Sequence, residues 1–165
     1  MQLQEEEKRF EMIYREQYPA MYRYATALLK NYSTRDGYAS GRAEEVVQEA
    51  FGVAWEKRDE LFASTAPAGW LIRAVQYKAR ELIREDQKWM KRVLRCSEYS
   101  GSQDAGNFHL RSELSDLLSE EEYLLLKGLY LEGYTYKELS RQLGVKQSAL
   151  AMRVKRLKER LRKEL

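Results

Sequence analysis

Leu150, Val154, Leu157 and Leu161 fall three or four residues apart, and the same spacing of apolar residues recurs along most of the chain. That is the period of an α-helix, where residues three and four apart share a face. Only Pro19, Pro67 and nine glycines interrupt 165 residues, too little punctuation for strands and tight turns. The chain is therefore expected to be all-α. Phe10, Ile13, Tyr14, Gln17, Met21, Ala25 and Leu28 mark a first helix, with an irregularity expected at Pro19. A second starts near Ala43 and keeps Val46, Val47, Ala50, Phe51 and Ala54 on one side. Pro67 and Gly69 mark a loop, and a third helix follows with Leu71, Val75, Ala79 and Leu82 inward. These three predict one small bundle of about 80 residues, enough to fold alone.

The periodicity lapses between Cys96 and Asn107, a polar stretch rich in Ser and Gly. It reads as a flexible linker, giving a helical domain over 8–92, a linker over 93–110 and a second helical domain over 111–165. In the second domain Ser119 and Glu122 have capping-box spacing, ahead of Tyr123, Leu126, Leu129 and Tyr130.

Several function classes are disfavoured by composition. One cysteine excludes an internal disulfide, and one His with one Cys cannot form a His/Cys zinc site. No metal and no cofactor are expected. Cys96 has no partner cysteine and no evident cationic pocket, and reads as an ordinary cysteine at the edge of the linker rather than a sensor of oxidation. No apolar run approaches the roughly 18 residues of a membrane span. The start, Met1-Gln2-Leu3-Gln4-Glu5-Glu6-Glu7, does not resemble a secretory signal. A cytoplasmic protein without membrane insertion is expected.

Charge is distributed unevenly. Residues 43–66 carry two Lys/Arg against six acids, whereas 67–95 carry eight against three. Residues 97–133 are acidic again, with eight acids against two cations. From Tyr134 to Leu165 ten Lys/Arg stand against three Glu, a net charge of +7 that favours a polyanionic partner.

Within that basic segment lies a helix-turn-helix pattern. Thr135 and Glu138 have capping-box spacing, Leu139 and Leu143 are expected on the inner face, and Ser140 is small where a partner helix approaches. Gly144 stands where a tight inter-helix turn needs positive φ. Val145 plugs the angle before the second helix. The outward residues of that helix are Lys146, Gln147, Ser148, Arg153, Lys155 and Arg156. Polar side chains near its N-terminus suit base edges in the major groove, while the cations suit phosphates. Duplex DNA is the expected partner, in preference to a merely solvated helical hairpin.

Two other surfaces carry chemistry. Arg73, Tyr77, Arg80, Arg84 and Lys88 line one face of the third helix, with Lys78 beside them. Such a row suits a single nucleic-acid strand, with the ring stacking on a base. It equally suits a solvated stripe partly neutralised by Glu81 and Glu85. Trp70 reads as a core anchor. On the second helix Glu45, Gln48, Glu49 and Glu56 form an acidic ridge, with Gly52 leaving a shallow spot. The ridge suits docking of another protein's basic helix. Catalysis by Glu45 and Glu49 lacks a nucleophile, metal or pocket nearby, so no enzyme is expected.

Taken in order, these segments resemble the sigma-70 family of RNA polymerase sigma factors, in its small extracytoplasmic-function subgroup. Ala43-Glu-Glu-Val-Val-Gln-Glu-Ala-Phe51 resembles the polymerase-docking motif of region 2, and Trp70-Leu-Ile-Arg73 the start of the promoter-melting helix. Tyr134 to Arg162 resembles region 4, through Glu138-Leu139-Ser140, Leu143-Gly144-Val145 and Arg156. The resemblance implies that Glu45, Gln48 and Glu49 bind the clamp coiled coil of the β′ subunit of core RNA polymerase. It implies that the Phe62–Gly69 loop lies near a flipped-out base of the minus-ten element, with Tyr77, Lys78, Arg80 and Arg84 close to the strand. Lys146 to Arg156 would read the minus-thirty-five element of promoter DNA, with another surface of that domain on the β flap. An anti-sigma factor is the regulator the family implies. Tyr77 and Glu81 stand where many relatives have Asn and Asp, and Lys146 where a capping Ser is frequent. The rival readings are a helix-turn-helix transcriptional regulator that is not a sigma subunit, and a helical adaptor that binds only proteins.

Overall fold

The computed structural model describes residues 1–32, 40–98 and 116–165. Seven α-helices and a 3-10 turn make up these residues, and no strand occurs among them. The helices are α1 (Gln2–Tyr32), α2 (Ala43–Glu56), α3 (Arg58–Ala63), α4 (Pro67–Glu98), α5 (Glu120–Tyr130), α6 (Tyr136–Leu143) and α7 (Gln147–Glu164), with the 3-10 turn at Ser40–Arg42. The all-α class read from spacing is the observed one. Among the described residues no helix is long and apolar enough to cross a membrane.

The described residues divide into two compact units, and the division falls inside α4, between Ile83 and Arg84. In the first unit, Met21, Ala25 and Leu29 of α1 pack with Val46, Val47, Ala50 and Phe51 of α2 and Leu71, Val75 and Ala79 of α4. Leu29, not Leu28, is the fully buried residue in the last turns of α1. Helix α1 runs through Pro19 as one element. A proline there removes one N–H and costs about 3 kcal/mol, and the burial of Met21, Ala25 and Leu29 beyond it offsets that loss.

The stretch before Pro67 is more helical than its sequence suggests. Helix α3 forms there, anchored by the fully buried Leu61. Pro67 is the first residue of α4 rather than part of a loop, a position where its missing N–H is not needed. The Ala66 carbonyl accepts the first bond of α4 from Trp70 N–H at 3.1 Å, and Ser64 Oγ accepts from Ala66 N–H at 3.2 Å.

Helix α4 continues past residue 92, into the stretch 93–110 expected to be a linker. Val93 and Leu94 are buried, and the helix ends at Glu98. Residues 99–115, which take in most of the expected linker (93–110) and the first residues of the expected second domain, lie outside the described residues. In the second unit Met90, Val93 and Leu94 pack with Leu125, Leu126 and Tyr130 of α5, Tyr136 and Leu139 of α6 and Leu150, Val154, Leu157 and Leu161 of α7.

Capping follows the sequence signals closely. Ser119 Oγ accepts from Glu122 N–H at 3.2 Å while Glu122 Oε1 accepts from Ser119 N–H at 2.9 Å, a complete capping box. At α6 only half of the box forms, Thr135 Oγ1 accepting from Glu138 N–H at 3.1 Å. Leu143 does not join the inner face of α6. It is 53% exposed, and Tyr136 takes the inward place beside Leu139. Residues 136 and 139 are three apart and share a face; the helix ends at Leu143, whose side chain turns outward at the last position. Gly144 adopts φ +66°, the left-handed turn expected of it.

Candidate functional site

Helix α7 is presented by the α6–α7 turn. Ser140 Oγ donates to the Val145 carbonyl, and Val145 N–H donates to the Ser140 carbonyl at 3.3 Å, so the turn is tied twice across Gly144. Burial of Leu150, Val154, Leu157 and Leu161 fixes the rotation of α7 about its axis. Lys146, Ser148, Arg153 and Arg156 are exposed, and Gln147 and Lys155 partly so. Lys146 occupies the N-cap without a side-chain hydrogen bond, so a cation sits where the free N–H groups of α7 already attract negative charge. Among the described residues no carboxylate pairs with Arg153, Lys155 or Arg156.

Arg153 and Arg156 line an open groove of about 540 Å³ together with Glu122, Ala149, Met152 and Arg160. Arg160 is held by Glu122 at 2.6 Å. Burial pulls the Glu122 carboxyl upward, but the Ser119 N–H and the Arg160 guanidinium outweigh it and leave the group below its ordinary value. Ala149 and Met152, apolar residues without a polar signal in the sequence, sit on this outward face as well.

The basic row on α4 is exposed. Arg73, Tyr77 and Arg80 belong to the first unit, with Tyr77 67% exposed; Arg84 and Lys88 lie further along the helix, in the second unit. Glu81 bonds Lys78 at 3.1 Å and raises its pKa, so it does not neutralise the row itself. Among the described residues no carboxylate pairs with Arg73, Arg80, Arg84 or Lys88. Trp70 is half-buried against the first core. Phe62 belongs to α3, where Arg9 donates to its carbonyl at 3.2 Å and lies 4.5 Å above its ring.

The ridge on α2 is exposed at Glu45, Gln48, Glu49 and Glu56, and nothing fills the space beside Gly52. Its charges are not equivalent. Arg42 Nε and Nη2 donate to the two oxygens of Glu45 at 2.9 and 2.8 Å, and these bonds hold that carboxyl below its ordinary value. Gln48 Nε2 donates to Tyr14 Oη at 2.9 Å. Tyr14, Tyr18 and Tyr22 follow along α1 with ring centroids 5.2 and 6.3 Å apart. Burial, then the charge of Glu44, push the Tyr18 hydroxyl upward. Of these tyrosines beside the ridge, the helical spacing singles out Tyr14 alone, and Tyr18 and Tyr22 carry no sequence signal of their own.

Among the described residues no group of three or more His, Cys, Asp or Glu side chains is placed to hold a metal ion. No protein-family model matches the chain, and no curated protein matches it.

Proposed function

We propose that the chain is a sigma factor of the extracytoplasmic-function type, which binds core RNA polymerase and directs initiation at selected promoters. The observation that carries this reading is the outward face of α7. A left-handed turn at Gly144 delivers a helix whose apolar residues are buried and whose Arg153 and Arg156 have no carboxylate partner among the described residues. That is the arrangement by which a helix-turn-helix enters a major groove.

The other two surfaces support it in order along the chain. The exposed Glu45, Gln48 and Glu49 suit a basic coiled coil of the polymerase β′ subunit, and the exposed Arg73, Tyr77 and Arg80 suit the opened minus-ten strand. Two modest DNA contacts on one chain raise each other's effective concentration once polymerase seats both. The chain then performs no chemistry itself; the polymerase does.

The test is reconstitution of the full chain with bacterial core RNA polymerase. Co-elution of the two, and transcripts starting at a subset of genomic promoters, are the expected results. Tight operator binding by the chain alone, as a dimer and without association with the core enzyme, would transfer the reading to a conventional helix-turn-helix regulator.

A further inference from the structure

We propose that Ala149 and Met152 form an apolar reading surface for thymine methyl groups, set among the arginines of α7. The inference rests on the DNA-binding reading above and names which bases that face prefers. Leu150, Val154, Leu157 and Leu161 are at most 2% exposed, so they define the inward direction of α7. With about 3.6 residues per turn, the opposite direction passes through Ser148, Met152 and, nearer the C-terminus, Glu159, flanked by Lys155 and Arg156, with Ala149 beside Arg156. Met152 thus sits near the centre of the outward face, 48% exposed, and Ala149 beside it is exposed too.

An unbranched apolar side chain at the middle of a cationic face has little to gain from water and nothing to offer a phosphate. The major groove contains one apolar group, the C5-methyl of thymine, and small or apolar side chains are its usual counterparts. The alternatives there are polar: guanine presents acceptors and cytosine an amino donor. Pressed against a methionine, either would be stripped of water without a good partner. Arg153 and Arg156 line the same groove and supply forked donors to guanine or phosphate oxygens. The net charge of +7 over residues 134–165 favours a polyanion over an apolar protein groove as the occupant.

The experiment enriches duplexes from a randomised pool on the full chain at low salt. Each enriched thymine is then replaced singly by deoxyuridine, which removes only the methyl group. At one or two positions affinity should fall about fourfold, the value of ~0.8 kcal/mol for one apolar carbon. In Met152→Gln that discrimination should shrink below about twofold, while the salt dependence set by the arginines persists. Met152 is a surface residue, so the variant keeps its core. Enriched duplexes that bind deoxyuridine and thymine alike at every position would overturn the proposal while leaving DNA binding intact. Failure to retain any duplex would overturn the DNA reading and this inference together. Loss of core-polymerase association in Met152→Gln with thymine discrimination unchanged would overturn it in favour of a protein occupant.

Discussion

The Lys158 ammonium lies 3.0 Å from the Asp86 carboxylate, and both side chains are almost wholly enclosed, at 2% and 8% exposure. Arg162 Nη2 reaches the other oxygen of Asp86 at 3.2 Å, and its guanidinium lies 3.7 Å from the centroid of the Trp89 ring. The pair fastens α7 to the C-terminal half of α4, within the second unit. A buried pair of this kind contributes little beyond an apolar substitute, but losing one partner strands a charge. Asp86→Asn should lower stability by about 3–5 kcal/mol, read from the urea midpoint. The double variant Asp86→Leu with Lys158→Met should regain most of that loss, which a purely volumetric effect would not allow.

The α5 capping box makes a second prediction, with a defined sign in pH. The Glu122 carboxyl lies below its ordinary value of 4.5 in the folded chain. Its contribution is therefore fully present above that value and fades as pH falls through the folded-state pKa. Glu122→Gln should cost about 1 kcal/mol near neutral pH. The gap between the two proteins, measured by thermal melting, should narrow steadily below pH 4.5. A gap that stayed constant down to pH 3 would show that the charge of Glu122 contributes nothing.

A third prediction concerns the α2 ridge. Because Arg42 occupies both oxygens of Glu45, the ridge carboxylates without an ion-pair partner among the described residues are Glu49, which acts on Lys78 only through space, and Glu56. Glu45→Lys should still reduce core-polymerase affinity about tenfold or more, since it places a cation beside Arg42 and opposite a basic partner. Gln48→Ala should have a smaller effect, because the amide group it removes already donates to Tyr14. Binding measured on immobilised core enzyme separates these. Equal affinity for wild type, Glu45→Lys and Glu49→Lys would remove the ridge from any docking role.

Much of this was legible in the sequence, and the exceptions share a cause. The α5 box and the Gly144 turn are local features, decided within a few residues, and both formed as read. The inward set of α7 also followed from spacing alone. Leu143 could not be placed that way, because at the last turn of a short helix the period no longer decides which side is covered. Lys158 and Arg162 show the limit more sharply. Both belong to the basic C-terminal segment, yet Asp86, distant in sequence, encloses Lys158 and ties down Arg162, which stays partly exposed. Charge in a sequence has no address until a long-range partner is known. The same holds for Glu45 with Arg42: their spacing of three permits a bond, but only the structure shows both oxygens used.

That redistribution sharpens what the remaining cations of α7 must do. With Lys158 and Arg162 held by Asp86 and Arg160 by Glu122, the cations left to meet a polyanion on this helix include Arg153, Lys155 and Arg156. Each phosphate contact removed from a duplex complex should lower the salt slope by roughly 0.9. Arg153→Ala and Arg156→Ala should therefore each weaken duplex binding and flatten its dependence on salt, whereas Arg160→Ala should change the slope little and reduce stability instead. Arg73→Ala and Arg80→Ala lie on α4 and should leave duplex affinity unchanged while weakening binding to a single strand. Fluorescence anisotropy with one duplex and one unpaired oligonucleotide, over a series of salt concentrations, reads the binding of all five. If the α7 and α4 substitutions affected both ligands alike, the two basic faces would have no division of labour, and the basis for assigning them to closed and opened DNA would be gone.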